Sequence, residues 1–149
     1  MGSRSGVAIR AILLGAAAGC RASLGVAAPL LVGHAGRSGP PIAVRASAVL
    51  GVMGELVGDL LPTTPSRLQP PGPQSRAAAA AAGGVLLARR AGVGVLVPAL
   101  LAAAASAAGT WGGAAWRSWA ADRGPDWPAA LTEDAVALAL AGAATIRLR

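Results

Sequence analysis

The run Val7-Ala-Ile-Arg-Ala-Ile-Leu-Leu-Gly-Ala-Ala-Ala-Gly-Cys-Arg-Ala-Ser-Leu-Gly-Val-Ala-Ala-Pro-Leu-Leu-Val32 is predominantly apolar, and its only charges are Arg10 near its start and Arg21 near its middle. A helix that crosses a bilayer needs about 20 mostly apolar residues to cover about 30 Å of hydrocarbon. Val7–Val32 is long enough, and three more runs of the same character follow: Ile42–Leu61, Ala91–Trp116 and Ala129–Ile146. Together they predict an all-α fold, a polytopic membrane helix bundle built as a single domain over residues 1–149.

Composition agrees. The chain is 54% hydrophobic and 13% charged, too apolar for an ordinary soluble domain. Its formal charge of +7 would raise nucleic acid as a partner, but the arginines stand singly or in pairs between apolar runs, without a basic stripe or interleaved aromatics. Arginines in that pattern orient and anchor membrane helices, so the expected partner is the lipid bilayer and no nucleic acid is expected. Cys20, the single cysteine, excludes an intrachain disulfide and a cysteine metal site. Apolar sequence continues past it with no leucine three residues before, so Cys20 reads as a buried small residue rather than a lipidation site.

Residues Ala77–Ala88 are the difficult segment, since twelve helical residues bounded by Arg76 and Arg89 reach only about 18 Å. If this stretch is a half-helix or re-entrant turn, there are four crossings, with Arg4, Arg10, Arg67, Arg76, Arg89, Arg90, Arg147 and Arg149 inside and Arg37, Arg45, Arg117 and Arg123 outside. The alternative is five crossings, for which the arginines divide evenly and give no orientation. The positive-inside rule favours four crossings with both termini cytoplasmic.

The connections differ in character. Pro62–Pro73 is proline-dense and reads as a stiff extended connector. Asp122–Pro128 reads as a helix start with Asp126 as N-cap, surrounded by Trp111, Trp116, Trp119 and Trp127 as an interfacial belt. The four-residue spacings Gly15/Gly19, Gly54/Gly58 and Gly109/Gly113 bare strips of backbone for close helix packing, in a tight bundle that could also pair as a homo-oligomer or with another membrane protein.

Charges inside apolar runs are expensive and mark the positions to examine. The intramembrane polar candidates are Arg21, Glu55, Asp59, Glu133 and Asp134. Glu55 and Asp59 share a helical face, and an ion pair between Arg21 and Glu55 is expected across the first two helices. Glu133 and Asp134 are early enough in the last run to favour the positive end of its dipole, with Arg117 and Arg123 as counter-charges.

The segments Gly19-Cys-Arg-Ala-Ser-Leu-Gly25, Gly54-Glu-Leu-Val-Gly-Asp-Leu-Leu-Pro62 with Pro65-Ser66-Arg67 and Pro70-Pro71, and Trp127-Pro-Ala-Ala-Leu-Thr-Glu-Asp-Ala135 resemble the small bacterial, notably actinobacterial, membrane proteins of domain-of-unknown-function family 4126 (DUF4126). The likeness spans nearly the whole chain, but members often carry a lysine where Leu60 stands, so any role of that lysine does not transfer. The resemblance implies a multi-pass protein of the bacterial inner (plasma) membrane with no established activity. It adds the loop residues Arg67 and Arg76 to the candidates.

No phosphate loop, nucleophile elbow or metal-ligand spacing is visible, and the lone His34 sits in a glycine-rich loop. No enzyme activity, catalytic residue, cofactor or metal is expected. The expected function is a helix-packing or interaction module with buried arginine–acid pairs. The alternative is a small transporter or channel for a cation or proton.

Overall fold

The computed structural model describes residues 4–32, 40–58 and 67–146. These form six helices in chain order: α1 (Arg4–Cys20), α2 (Ala22–Leu31), α3 (Ile42–Gly58), α4 (Gly72–Ala91), α5 (Leu96–Ala121) and α6 (Asp126–Thr145). No strand occurs among the described residues, so the all-α expectation holds.

The first apolar run is two helices instead of one. Arg21 takes an extended backbone, φ −137° and ψ 107°, between the last residue of α1 and the first of α2. The chain then folds back. A Cβ placed on Gly25 would lie 3.1 Å from the Ala18 Cβ, whereas residues seven apart on a straight helix are separated by about 10 Å. Hydropathy averages over such a turn, because one extended residue leaves the apolar composition on both sides unchanged.

From this hairpin the rest alternates in direction. Ala22 and Ser23 at the start of α2 meet Glu55 in the last turn of α3, so α3 runs antiparallel to α2. Arg76, early in α4, also reaches Glu55, while Gly84 further along faces the backbone of Pro98 and Ala99 at the start of α5. Alpha5 runs alongside α1, with Gly15 against Ala102 and Gly19 against Ser106. Alpha6 returns, and Arg10 of α1 donates to the Ile146 carbonyl just past its end at 3.0 Å. Both ends of the described chain therefore lie at one end of the bundle.

Three sequence expectations change as a result. Ala77–Ala88 is not a half-helix: it is the interior of α4, a continuous helix of 20 residues reaching about 30 Å. Its expected boundary, Arg76, is a buried interior residue with a carboxylate partner. Arg67 and Arg76, expected on the side of the termini, stand at the opposite end, facing Glu133 and Glu55. Arg45, expected across from the termini, lies in the first turn of α3 at their end. Both shifts follow from the extra turn at Arg21, which reverses the direction of what comes between it and α5.

Close packing is carried by small residues, as expected for α1 and α5. A side chain on Gly15, Gly19 or Gly109 would collide with the facing backbone of the other helix. The α3 pair behaves differently, since nothing lies within 4 Å of a Cβ on Gly54. Alpha3 packs chiefly on α2 and leaves its other faces open.

Small apolar residues and a few charges fill the interior, and large apolar residues stand on the surface as well. Inside lie Ala11, Ala17, Ala18, Ala80, Ala102, Ala137 and Ala144, together with Arg21 and Arg76 at 8% exposure and Glu133 at 6%. Outside lie Ile42 at 81%, Leu50 at 70% and Leu96 at 69%. Among the described residues, α5 is the one helix long and apolar enough by itself to cross a membrane, with 26 residues and a mean hydropathy of 1.3.

Candidate functional site

The candidate residues converge where α1 turns into α2, α3 ends and α4 begins, against the first half of α6. The turn at Arg21 frees backbone groups that an unbroken helix would pair internally. Three neighbouring helices supply partners. Alpha3 provides the Glu55 carboxylate, which accepts the N–H of Ala22 and of Ser23 at 2.8 Å each and the Ser23 hydroxyl at 2.5 Å. Alpha5 provides Thr110, whose hydroxyl donates to the Gly19 carbonyl at 3.3 Å, in the last turn of α1. Alpha6 provides Asp134, which accepts Arg21 Nε at 2.6 Å.

The expected Arg21–Glu55 ion pair is thus replaced by a different arrangement. The two residues share the turn, but Glu55 takes the backbone N–H groups next to Arg21 while the Arg21 side chain extends to Asp134. Two amide donors at a helix start favour a carboxylate, and the Arg21 side chain reaches α6 instead. Glu55 gains a distant cation as well, Arg76 Nη2 at 3.8 Å. Asp59 lies outside the described residues.

A second cluster lies beside the first. Glu133 is buried and bridges Arg67, which pairs with it through both guanidinium nitrogens, and Arg117, whose Nη1 is 3.6 Å from Oε2. Space for this pair comes from Gly113: a Cβ there would run into the Glu133 carboxylate. Arg67, read from sequence as a loop residue, is therefore brought into the bundle. Glu133 and Asp134 are neighbours in sequence, so the two clusters join into one charged layer.

Arg117, expected as a counter-charge, serves both Glu133 and Asp126, donating to Asp126 Oδ1 from Nε at 2.6 Å. Asp126 is not the N-cap of α6; Pro125 occupies that position and makes no side-chain cap, while the Asp126 carboxylate is drawn to Arg117. Arg123, the other expected counter-charge, instead stacks over Trp119 at 4.1 Å. Trp116 and Trp119 are stacked at 5.3 Å, and Trp116 Nε1 donates to the Ala129 carbonyl at 3.0 Å. These rings join α5 to the start of α6.

Below them a cleft of about 450 Å³ opens between α1, α5 and α6, lined by Cys20, Gly109, Gly113, Glu133, Val136 and Leu140. Cys20 is buried on its wall, as expected, with Sγ 3.8 Å from the Gly109 carbonyl.

Charge is distributed unevenly along the bundle. The end that holds the termini carries Arg4, Arg10, Arg45, Arg89 and Arg90 and no described acid. Every described acid (Glu55, Asp122, Asp126, Glu133 and Asp134) lies toward the other end, matched by Arg21, Arg67, Arg76, Arg117 and Arg123. Ser23, Thr110 and Asp126 were not among the sequence candidates. Ser23 and Thr110 leave little signal, since a hydroxyl that serves a helix break looks like any small polar residue until the break is known.

Comparison with protein-family models, with curated proteins and with solved structures gave no match to this chain.

Proposed function

We propose that this chain is a multi-pass protein of the bacterial inner membrane, of the DUF4126 kind its sequence resembles, and that it acts as a helix-packing or interaction module. The observation that carries the reading is the burial of charge beneath an apolar surface. Charged Arg21, Arg76 and Glu133 are inside while Ile42, Leu50 and Leu96 face outward, and lipid is the solvent in which that arrangement is favourable. The described arginines divide five to five between the two ends, so the orientation of the bundle rests on the expectation from sequence that the termini are cytoplasmic.

The charged layer supports a positioning role. Each described acid in it faces an arginine or backbone donors, so it ties six helices of alternating direction into one register. Alpha3, covered on one side only, is the surface such a module has to offer.

A conduit for a proton or cation is the second reading. It is favoured by the continuity of the charged groups, from Arg76 and Glu55 through the turn at Arg21 to Asp134, Glu133 and Arg117.

Reconstitution in lipid vesicles separates the two readings. A packing module floats with the vesicles and leaves proton and cation leak at the level of empty ones. Flux above that level that is lost in Glu55→Gln would establish the conduit, and a protein that stays folded and monodisperse without detergent or vesicles would remove both.

A further inference from the structure

The Glu55 carboxylate sits in a donor set larger than it uses. Ala22 N–H, Ser23 N–H and the Ser23 hydroxyl close on its two oxygens at 2.5–2.8 Å. The Arg76 guanidinium is aimed at the same group, with Nη2 3.8 Å from Oε1, which is beyond hydrogen-bond distance. The Arg76 side chain is 9% exposed, and its Nε has no hydrogen-bond partner. Its Nη1 makes one long contact, to the Gly72 carbonyl at 3.5 Å. A guanidinium carries five donors in a fork that suits a carboxylate's two oxygens, and most of that capacity is unspent here. A helix start, a hydroxyl and a buried arginine converging on one point form an anion site.

Its present occupant is also the acid most easily withdrawn. Glu133 and Asp134 belong to α6, which packs against α1, α2 and α5, whereas Glu55 rides on α3, which packs chiefly against α2 and exposes Leu50, Met53 and Val57. A tethered side chain is limited by its backbone in how far it can advance towards Arg76. A free anion is not.

We infer that Ala22, Ser23 and Arg76 form a binding site for a small carboxylate, and that Glu55 is its built-in occupant, which a free monocarboxylate replaces when the side chain is absent or drawn away with α3. The site follows from the donors alone and stands apart from the choice between packing module and conduit.

Acetate is the probe. In detergent-purified Glu55→Ala, the melting temperature is lower than in wild type, and sodium acetate restores it by about 3 °C or more at saturation, by binding the folded state only. Sodium chloride at equal concentration does not, and wild type responds to neither. Adding Arg76→Met or Ser23→Ala to Glu55→Ala abolishes the rescue. Equal response of Glu55→Ala to acetate and chloride would overturn the inference. Should Glu55→Ala fail to fold, the short polar variant Glu55→Ser, which also vacates the site, takes its place, with saturation-transfer NMR of acetate as the readout. A bound-acetate signal that disappears with Arg76→Met is expected, and no signal would overturn the site.

Discussion

Arg21 and Asp134, 113 residues apart, meet at 2.6 Å where the first helix hairpin turns against the last helix. Both side chains are largely withdrawn from solvent, at 9% and 21% exposure. Removing one member leaves the other's charge in a poorly hydrated layer, which costs about 3–5 kcal/mol, while removing both together costs much less. Arg21→Met and Asp134→Leu should therefore each destabilise the protein strongly, and the double variant by well under the sum. Denaturant unfolding in micelles reads this out, and additive losses would contradict the pairing.

Glycines of equal appearance in sequence should respond in opposite ways. Gly19→Ala drives a methyl into the backbone of α5, and overpacking of this kind costs about 1–3 kcal/mol or more. Gly54→Ala meets open space, and exchange of glycine for alanine inside a helix contributes up to about 1 kcal/mol of stability. Thermal unfolding of the two variants should move in opposite directions from wild type.

Thr110 supplies the hydroxyl to the Gly19 carbonyl at the helix break. Thr110→Val keeps shape and loses that donor, which should cost about 1–2 kcal/mol. Thr132, whose hydroxyl meets only the Pro128 carbonyl of its own exposed helix turn, should tolerate the same change to within about 0.5 kcal/mol. Equal effects at the two positions would show that the break does not depend on Thr110.

Gly113 makes the room that Glu133 needs beside Arg67. Gly113→Ala should displace the carboxylate and destabilise the fold, and Glu133→Gln should mask part of that loss, because the pair is already weakened. A double-variant cycle on unfolding free energies checks the coupling.

Much of this was legible in the residues. The α-helical class follows from uninterrupted apolar runs, and the positions of the buried charges follow from their cost in such runs. The glycine spacings of α1 and α5 identified an interface, because close backbone approach needs a missing side chain. Course and partnership were not legible. The turn at Arg21 is made by one extended residue inside a stretch that hydropathy treats as continuous. Arg76 looked like the edge of a short helix, since an arginine marks an end unless its partner is known, and that partner lies on α3. Pairing Glu55 with Arg21, the isolated charge of the first run, misses the backbone donors that the broken helix offers it.

The hairpin at Arg21 is the claim on which the rest depends, and single-cysteine labelling in a Cys20→Ser background tests it most directly. With a hairpin, Pro40 stands at the end of the termini and Gly124 at the opposite end, so in intact cells an impermeant maleimide should label Gly124→Cys and leave Pro40→Cys untouched, with the reverse in inverted vesicles. Labelling of both positions from outside the cell would mean that Val7–Val32 crosses as one straight helix, and would contradict the account.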